Sequence, residues 1–75
     1  MDDEALNISI RKFLKMVGVS SQREIEQAVA KALQQGAIAG TETLPATMTL
    51  EIPGLTLRTT FHGEVRLQEA PGGSA

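Results

Sequence analysis

The sequence contains no cysteine, no tryptophan and no tyrosine. The absence of cysteine excludes disulfide bonds and thiolate metal ligands from this chain. Phe13 and Phe61 are its two aromatic residues, so it lacks the aromatic platforms on which single-stranded nucleic-acid bases stack. A fold of this sequence therefore depends on aliphatic packing, supplemented by self-association where the core is too small.

Long apolar runs and a surplus of positive charge are also missing. The longest apolar stretches are a few residues long, and the first residues are acidic where a signal peptide is basic. The net charge is −2, whereas phosphate contacts require an excess of Lys and Arg. We therefore expect a soluble, cytoplasmic protein without a membrane segment, and we do not expect a dedicated nucleic-acid binder.

The length and composition indicate one small globular domain. Hydrophobic residues make up 41% of the 75 residues and charged residues 21%, which is close to the average of folded domains. A core of this size rarely contributes more than ~3–5 kcal/mol. We expect a monomer or a weak dimer.

Apolar residues near the start of the chain recur with helical spacing. They are Leu6, Ile10, Phe13, Leu14 and Val17. This stripe predicts a first helix from Asp2 to Val17, ended by Gly18. Its first turn is acidic and its end is basic, which complements the helix dipole at both ends.

A second helix is predicted from about Ser21 to Gln35. Ser21 and Glu24 have the spacing of a capping box, in which each side chain accepts a hydrogen bond from the other residue's backbone. Apolar residues follow with helical spacing, and Gly36 stands where a left-handed residue usually ends a helix. The short link, Gly18 to Ser20, predicts that the two helices form a hairpin or a helix-turn-helix corner.

Beyond the turn-rich segment 37–45, alternation of apolar and polar residues predicts three strands. Pro53-Gly54 is predicted as a two-residue turn that pairs Ile52 with Leu55 and Leu50 with Leu57. At His62-Gly63, a three-residue loop returns the apolar residues to the same face, and it requires a positive φ at Gly63.

These elements predict an α+β fold, with two N-terminal helices packed on one face of a three-stranded antiparallel β-meander. The order is ααβββ, in two layers, with the other sheet face exposed to solvent. The domain is predicted to span residues 1–69. Residues 70–75 form a tail of small residues that is predicted to be disordered.

Candidates for chemistry are few. His62 is the one imidazole, and its position beside Gly63 is better explained by a turn than by acid–base or metal chemistry. Ser20 and Ser21 are better explained as helix caps than as nucleophiles. We therefore expect no catalytic residue, no metal site and no cofactor.

Two surfaces are candidates for binding a partner. The first is the polar face of the predicted sheet, formed by Thr47, Thr49, Glu51, Thr56, Arg58, Thr60, Arg66 and Gln68. The second is a basic patch on the helices, formed by Arg11, Lys12, Lys15, Arg23 and Lys31. Solvated helix and sheet faces produce the same patterns, so these surfaces are hypotheses. The first strand, as a sheet edge, also allows edge-to-edge dimerisation.

Three segments of the sequence carry a resemblance. They are Asn7 to Gly18 (NISIRKFLKMVG), Val19 to Leu33 (VSSQREIEQAVAKAL) and Thr41 to Leu55 (TETLPATMTLEIPGL). Together they resemble a family of small bacterial proteins classed as a domain of unknown function, over about positions 1 to 68. The resemblance implies a compact intracellular domain and transfers no catalytic residue.

Three functional hypotheses follow. The first is a small, non-enzymatic module that binds another protein or itself. The second is a nucleic-acid-binding, reduced winged helix, with Gln22, Arg23, Gln27 and Lys31 on the recognition helix. The third is a small enzyme that uses His62 with Glu64 or Arg66.

Overall fold

The structure is a computed structural model that describes residues 1–69. It contains one helix, α1 (Asp3–Gln34), and two strands, β1 (Thr43–Ile52) and β2 (Leu57–Arg66), joined by a 3-10 helix at Pro53–Leu55. The chain divides into a helical unit, Met1–Ala37, and a hairpin unit that begins at Ile38. The disordered tail predicted for residues 70–75 lies outside the described residues.

Both ends of α1 are capped. The Asp2 carboxylate accepts a hydrogen bond from the Ala5 backbone N–H at 3.0 Å, which satisfies one of the free donors of the first turn. At the other end, the backbone N–H of Ala37 donates to the Ala32 carbonyl and that of Gly36 to the Leu33 carbonyl. This is a Schellman motif, and the φ of +73° at Gly36 confirms the predicted left-handed residue.

The prediction of two helices is wrong, because α1 continues through Gly18, Val19 and Ser20. An interior glycine costs a helix only about 1 kcal/mol relative to alanine, which is too little to end it by itself. Ser21 and Glu24 therefore lie inside the helix and do not cap it. Val17 and Ile25 also lie on the same side of a continuous helix, because they are eight residues apart, with Ser21 midway between them.

The hairpin pairs ten residues of β1 with ten of β2 in antiparallel register, from Thr43 opposite Arg66 to Ile52 opposite Leu57. The predicted two-residue turn at Pro53-Gly54 is wrong, because the connection also includes Leu55 and Thr56. Thr56 has a φ of +50°, a left-handed conformation that is uncommon for a β-branched residue. Leu50 therefore lies opposite Thr59 and not opposite Leu57.

The predicted second turn does not form. Gly63 lies inside β2 opposite Ala46, and its φ is not positive. The physical reason is the spacing of the apolar residues: Leu57, Phe61 and Val65 are all odd-numbered, so they share one face of a single continuous strand. The residues predicted as two strands thus form one, and the sheet has two strands, not three.

The predicted fold class is therefore corrected. The chain is α+β in composition, but its described residues form one long helix followed by a β-hairpin, not ααβββ. Among residues 1–69, no side chain is buried. The apolar faces of the helix and of the hairpin are consequently the main candidate interaction surfaces of these residues.

Candidate interaction surfaces

A single apolar stripe runs along α1. We call it the helix stripe, and its apolar members are Leu6, Ile10, Phe13, Leu14, Val17, Ile25, Ala28 and Ala32, with the polar Ser21 among them. Steps of three and four residues keep these side chains on one side of an α-helix. Ile10 and Phe13 are each 46% exposed, so the large side chains of the stripe are accessible.

Other apolar residues of α1 lie off the stripe. Ile8, Met16 and Val19 are exposed on other parts of the helix surface. Ile8 is two residues from Ile10, which places it about 200° around the helix axis from that residue. The helix therefore offers pairs of similar residues, one on the stripe and one away from it.

The hairpin also has an apolar face, which we call the hairpin face. Its members are Leu44, Met48, Leu50, Ile52, Leu57, Phe61 and Val65. Cross-strand pairing brings Met48 opposite Phe61 and Ile52 opposite Leu57, so these side chains are direct neighbours. Phe61 is 58% exposed. A face of this kind, open to water, is typical of an interaction surface.

The predicted polar docking residues are partly brought together. Six share the face opposite the hairpin face: Thr47, Thr49, Glu51, Arg58, Thr60 and Arg66. The Oγ1 atoms of Thr49 and Thr60 are 3.0 Å apart across the strands. Thr56 belongs to the turn, and Gln68 follows the end of β2, so neither lies in the paired strands. Docking at this face stays a prediction.

The predicted basic residues do not form one compact patch. Arg11, Lys12, Lys15, Arg23 and Lys31 all lie on α1. Arg11 and Lys15 are four residues apart and therefore neighbours. Lys31 lies about 30 Å from Arg11 along the helix axis at 1.5 Å per residue. The set is better described as separate positive positions along the helix.

His62 lies on the polar side of β2 opposite Thr47 and not in a turn. Glu64 and Arg66 follow on the same side, and they form an exposed ion pair at 3.8 Å. Among residues 1–69, no three His, Asp or Glu side chains are grouped so that they could hold a metal ion. The hypothesis of an enzyme that uses His62 with Glu64 or Arg66 stays a prediction.

The carboxylate of Glu42 forms a local site that the sequence analysis did not identify. The backbone N–H groups of Ala39, Gly40 and Thr41 donate to it at 2.8, 2.9 and 3.1 Å. These bonds, with Ala39 contributing most and Gly40 next, lower the pKa of Glu42 from its ordinary value of 4.5. The Leu67 N–H donates to the Glu42 carbonyl, so this residue also joins the loop to the hairpin. The signal for this site in the sequence is the turn-forming Gly40, two positions before the acidic Glu42.

Among residues 1–69, no helix has the length and apolarity to cross a bilayer. Searches of curated proteins and of solved structures found no match to the chain. Residues 1–68 match a family of unknown function, DUF6494. This match confirms the family resemblance of the sequence, and it assigns no activity to any residue. The chain is therefore a member of this family of unknown function.

Proposed function

We propose that this chain is a non-enzymatic, self-associating module whose helix stripe and hairpin face are buried against a second copy. The observation that carries the proposal is the exposure of both surfaces. Among residues 1–69 no side chain is buried, although many apolar residues are concentrated on one side of each element. Sorting of this kind is the usual mark of a surface that packs against another element.

Energetics support the same proposal. An isolated two-stranded hairpin is at best marginally stable in water. Most helices in proteins likewise gain their stability from packing of an apolar face. Burial of apolar surface contributes about 25 cal/mol per Å². Association would therefore stabilise both units of the chain at the same time as it forms the oligomer.

The other hypotheses have less support. The winged-helix alternative requires a tight turn between two helices, and Gly18 to Ser20 are helical instead. A different protein could occupy the same surfaces, and that is one outcome of the experiment below. The cytoplasmic location expected from the sequence stays a prediction.

The test is the solution mass of the full chain across a concentration series, measured by light scattering after size exclusion. We expect the mass to rise above the 8.0 kDa of one chain toward twice that value. Ile10→Asp should abolish the rise, because it places a charge in the centre of an apolar interface. Ile8→Asp is the matched control, since it makes the same change on the same helix away from the stripe.

Each result has a defined meaning. Loss of association in the Ile10 variant with retention in the Ile8 variant would support the helix stripe as the interface. A mass of one chain at every concentration would contradict self-association. Equal loss in both variants, with unchanged helical circular dichroism, would contradict the assignment of the interface to the stripe.

A further inference from the structure

We infer that two copies of this chain pair through the outer edge of β2, in antiparallel orientation, so that their two hairpins form one continuous sheet. The inference rests on the proposed self-association and names the strand, the orientation and the register by which it occurs. Its basis is the backbone hydrogen-bonding pattern of the hairpin, the position of Pro45, and the order of charged and apolar residues along β2.

The edge of β2 that faces away from β1 carries unpaired backbone groups. The N–H of Leu67, which directly follows β2, donates to the Glu42 carbonyl opposite it at 3.0 Å. Because the two kinds of residue pair alternate along antiparallel strands, the odd-numbered residues of β2 point their N–H and C=O groups toward β1. The even-numbered residues point theirs outward: Arg58, Thr60, His62, Glu64 and Arg66. Among residues 1–69, no third strand pairs with this edge.

The outer edge of β1 is less suited to pairing. By the same alternation its outward residues are odd-numbered, and one of them is Pro45, which lacks an N–H group. A proline there interrupts the row of donors, which is one way in which proteins protect a sheet edge. β2 contains no proline, so its row of donors is complete. Edge-to-edge pairing, expected from the sequence at the first strand, is therefore better accommodated by β2.

The hairpin face selects antiparallel pairing. Two identical edges can meet in antiparallel orientation about a twofold axis perpendicular to the sheet, which leaves both hairpin faces on the same side. Parallel pairing of the same edges requires an axis along the strands, which turns the two hairpin faces to opposite sides. The antiparallel arrangement therefore gives one continuous apolar surface, as in sheets that have one packed face and one solvated face.

The order of charges along β2 selects the register. With Phe61 opposite Phe61 of the second copy, Arg58 lies opposite Glu64 of the second copy, and symmetry repeats this pair at the other end. Opposite charges in facing positions stabilise a sheet, whereas like charges destabilise it. Arg58 also faces Glu51 across its own hairpin. Each Arg58 thus lies between two carboxylates on the polar side of the shared sheet.

The same register matches the apolar residues. Phe61 meets Phe61 of the second copy, and aromatic cross-strand pairs stabilise antiparallel sheets. Leu57 lies opposite Val65 of the second copy, again twice by symmetry. Within each chain Met48 is opposite Phe61. Ile52 is opposite Leu57 in the same way, so apolar rows cross all the strands of the shared sheet.

Other registers lose one of these matches. A slide by one residue would set the hairpin face of one copy beside the polar face of the other. A slide by two residues in one direction sets Arg58 opposite Arg66 of the second copy, and in the other direction opposite His62. In neither case does a carboxylate of the second copy face Arg58. Longer slides leave Leu57 or Val65 outside the paired segment.

The first test blocks the edge of β2 with proline. Thr60→Pro removes an outward N–H group without removing a hydrogen bond between β1 and β2. Thr49→Pro is the matched control, because Thr49 lies directly opposite, with its N–H on the outer edge of β1. Either change removes the same 3.0 Å contact between the two hydroxyl groups. We expect the solution mass of Thr60→Pro to stay at one chain across the concentration series, whereas Thr49→Pro retains the rise.

The second test exchanges charges and does not depend on proline. Arg58→Glu and Glu64→Arg should each weaken self-association roughly tenfold, because each sets like charges opposite each other at two places. Mixing the two variants should restore the rise in mass, since opposite charges face each other at both places in the mixed pair. Arg58→Glu also loses its attraction to Glu51, but this loss is common to the single variant and the mixture.

The outcomes separate this inference from the proposed self-association. An original chain that is monomeric at every concentration would overturn both. A rise in mass that is present in both proline variants, or absent from both, would overturn β2 as the interface, although self-association would stand. Failure of the mixed variants to associate would overturn the register. Stronger association of Arg58→Glu alone would also overturn it, because that is the result expected where Arg58 faces Arg66.

Discussion

The contacts that stabilise the helical unit differ in kind from those that stabilise the hairpin unit. The hydrogen bonds of α1 are local, from the Asp2 carboxylate at the start to the Ala37–Ala32 hydrogen bond at the end. In the hairpin, the contacts join residues distant in sequence, such as Thr43 and Arg66. Local contacts form at little entropic cost, whereas cross-strand contacts require closure of a loop. The hairpin therefore depends more on register, and the helix depends more on the continuity of its backbone.

The largest expected effect is a break in that continuity. Gly18→Pro should cost about 3 kcal/mol or more, because proline removes a helical hydrogen bond and clashes with the preceding turn. Loss of helical circular dichroism and of thermal stability measures it. A chain with two helices and a loop at Gly18 to Ser20 would tolerate the change, so an unchanged spectrum would contradict the single helix.

Gly18→Ala is the matched control for that prediction. It should raise the free energy of unfolding by about 1 kcal/mol, since alanine is the better helix former and its Cβ would meet nothing within 4 Å. The measurement is made with Ile10→Asp also present, to separate helix propensity from association. A decrease would indicate that Gly18 does not have ordinary helical geometry.

An intermediate effect is expected at Gly63, and it tests whether this residue lies in a continuous strand or in a turn. Gly63→Val should stabilise the chain by up to about 1 kcal/mol, because valine favours strands and a Cβ at this position, opposite Ala46, would meet nothing within 4 Å in the single chain. Because Gly63 lies on the hairpin face, the change is measured with Ile10→Asp also present, to separate strand propensity from association. Chemical denaturation measures the change. If Gly63 belonged to a turn with positive φ, valine would be strained there and the midpoint of denaturation would fall.

The smallest expected effect concerns Glu42, whose carboxylate remains accessible to water. Its lowered pKa means that the charged form is favoured in the folded chain, so its contribution is complete above about pH 4.5. The contribution is lost as the pH falls through the lower, folded pKa. Glu42→Gln should reduce the melting temperature at neutral pH and flatten its acid dependence, relative to the control Glu51→Gln. An unchanged acid profile would contradict the role of the Ala39–Thr41 donors.

The sequence predicted the types of the elements better than their number. Helical spacing was correct on both sides of Gly18, and alternation was correct on both sides of Gly63. The errors came from interpreting these two glycines as ends of elements, although the apolar phase continues across each of them. At Gly36 the helical pattern does end, and there the prediction of a left-handed residue was confirmed. Whether the apolar spacing continues in register across a glycine is thus a better guide to the end of a helix or strand than the glycine itself.

The candidate surfaces were predicted unevenly for a related reason. Six of the eight polar docking residues share one face, because alternation alone determines the face of a strand residue. The helix stripe was divided between two predicted helices, so it was not recognised as one surface. The Glu42 site depends on the turn made by Ala39, Gly40 and Thr41, which residue spacing does not specify.

The most direct test of the proposed self-association is an isotope-filtered NOE experiment on a mixture of labelled and unlabelled chains. Phe13 and Phe61 are the two phenylalanines of the chain, so the ring signals can be assigned without ambiguity. We predict NOEs between the Phe13 and Phe61 rings of one chain and methyl groups of the helix stripe and hairpin face of the other. The absence of any NOE between chains, at the highest concentration of the mass series, would contradict the account.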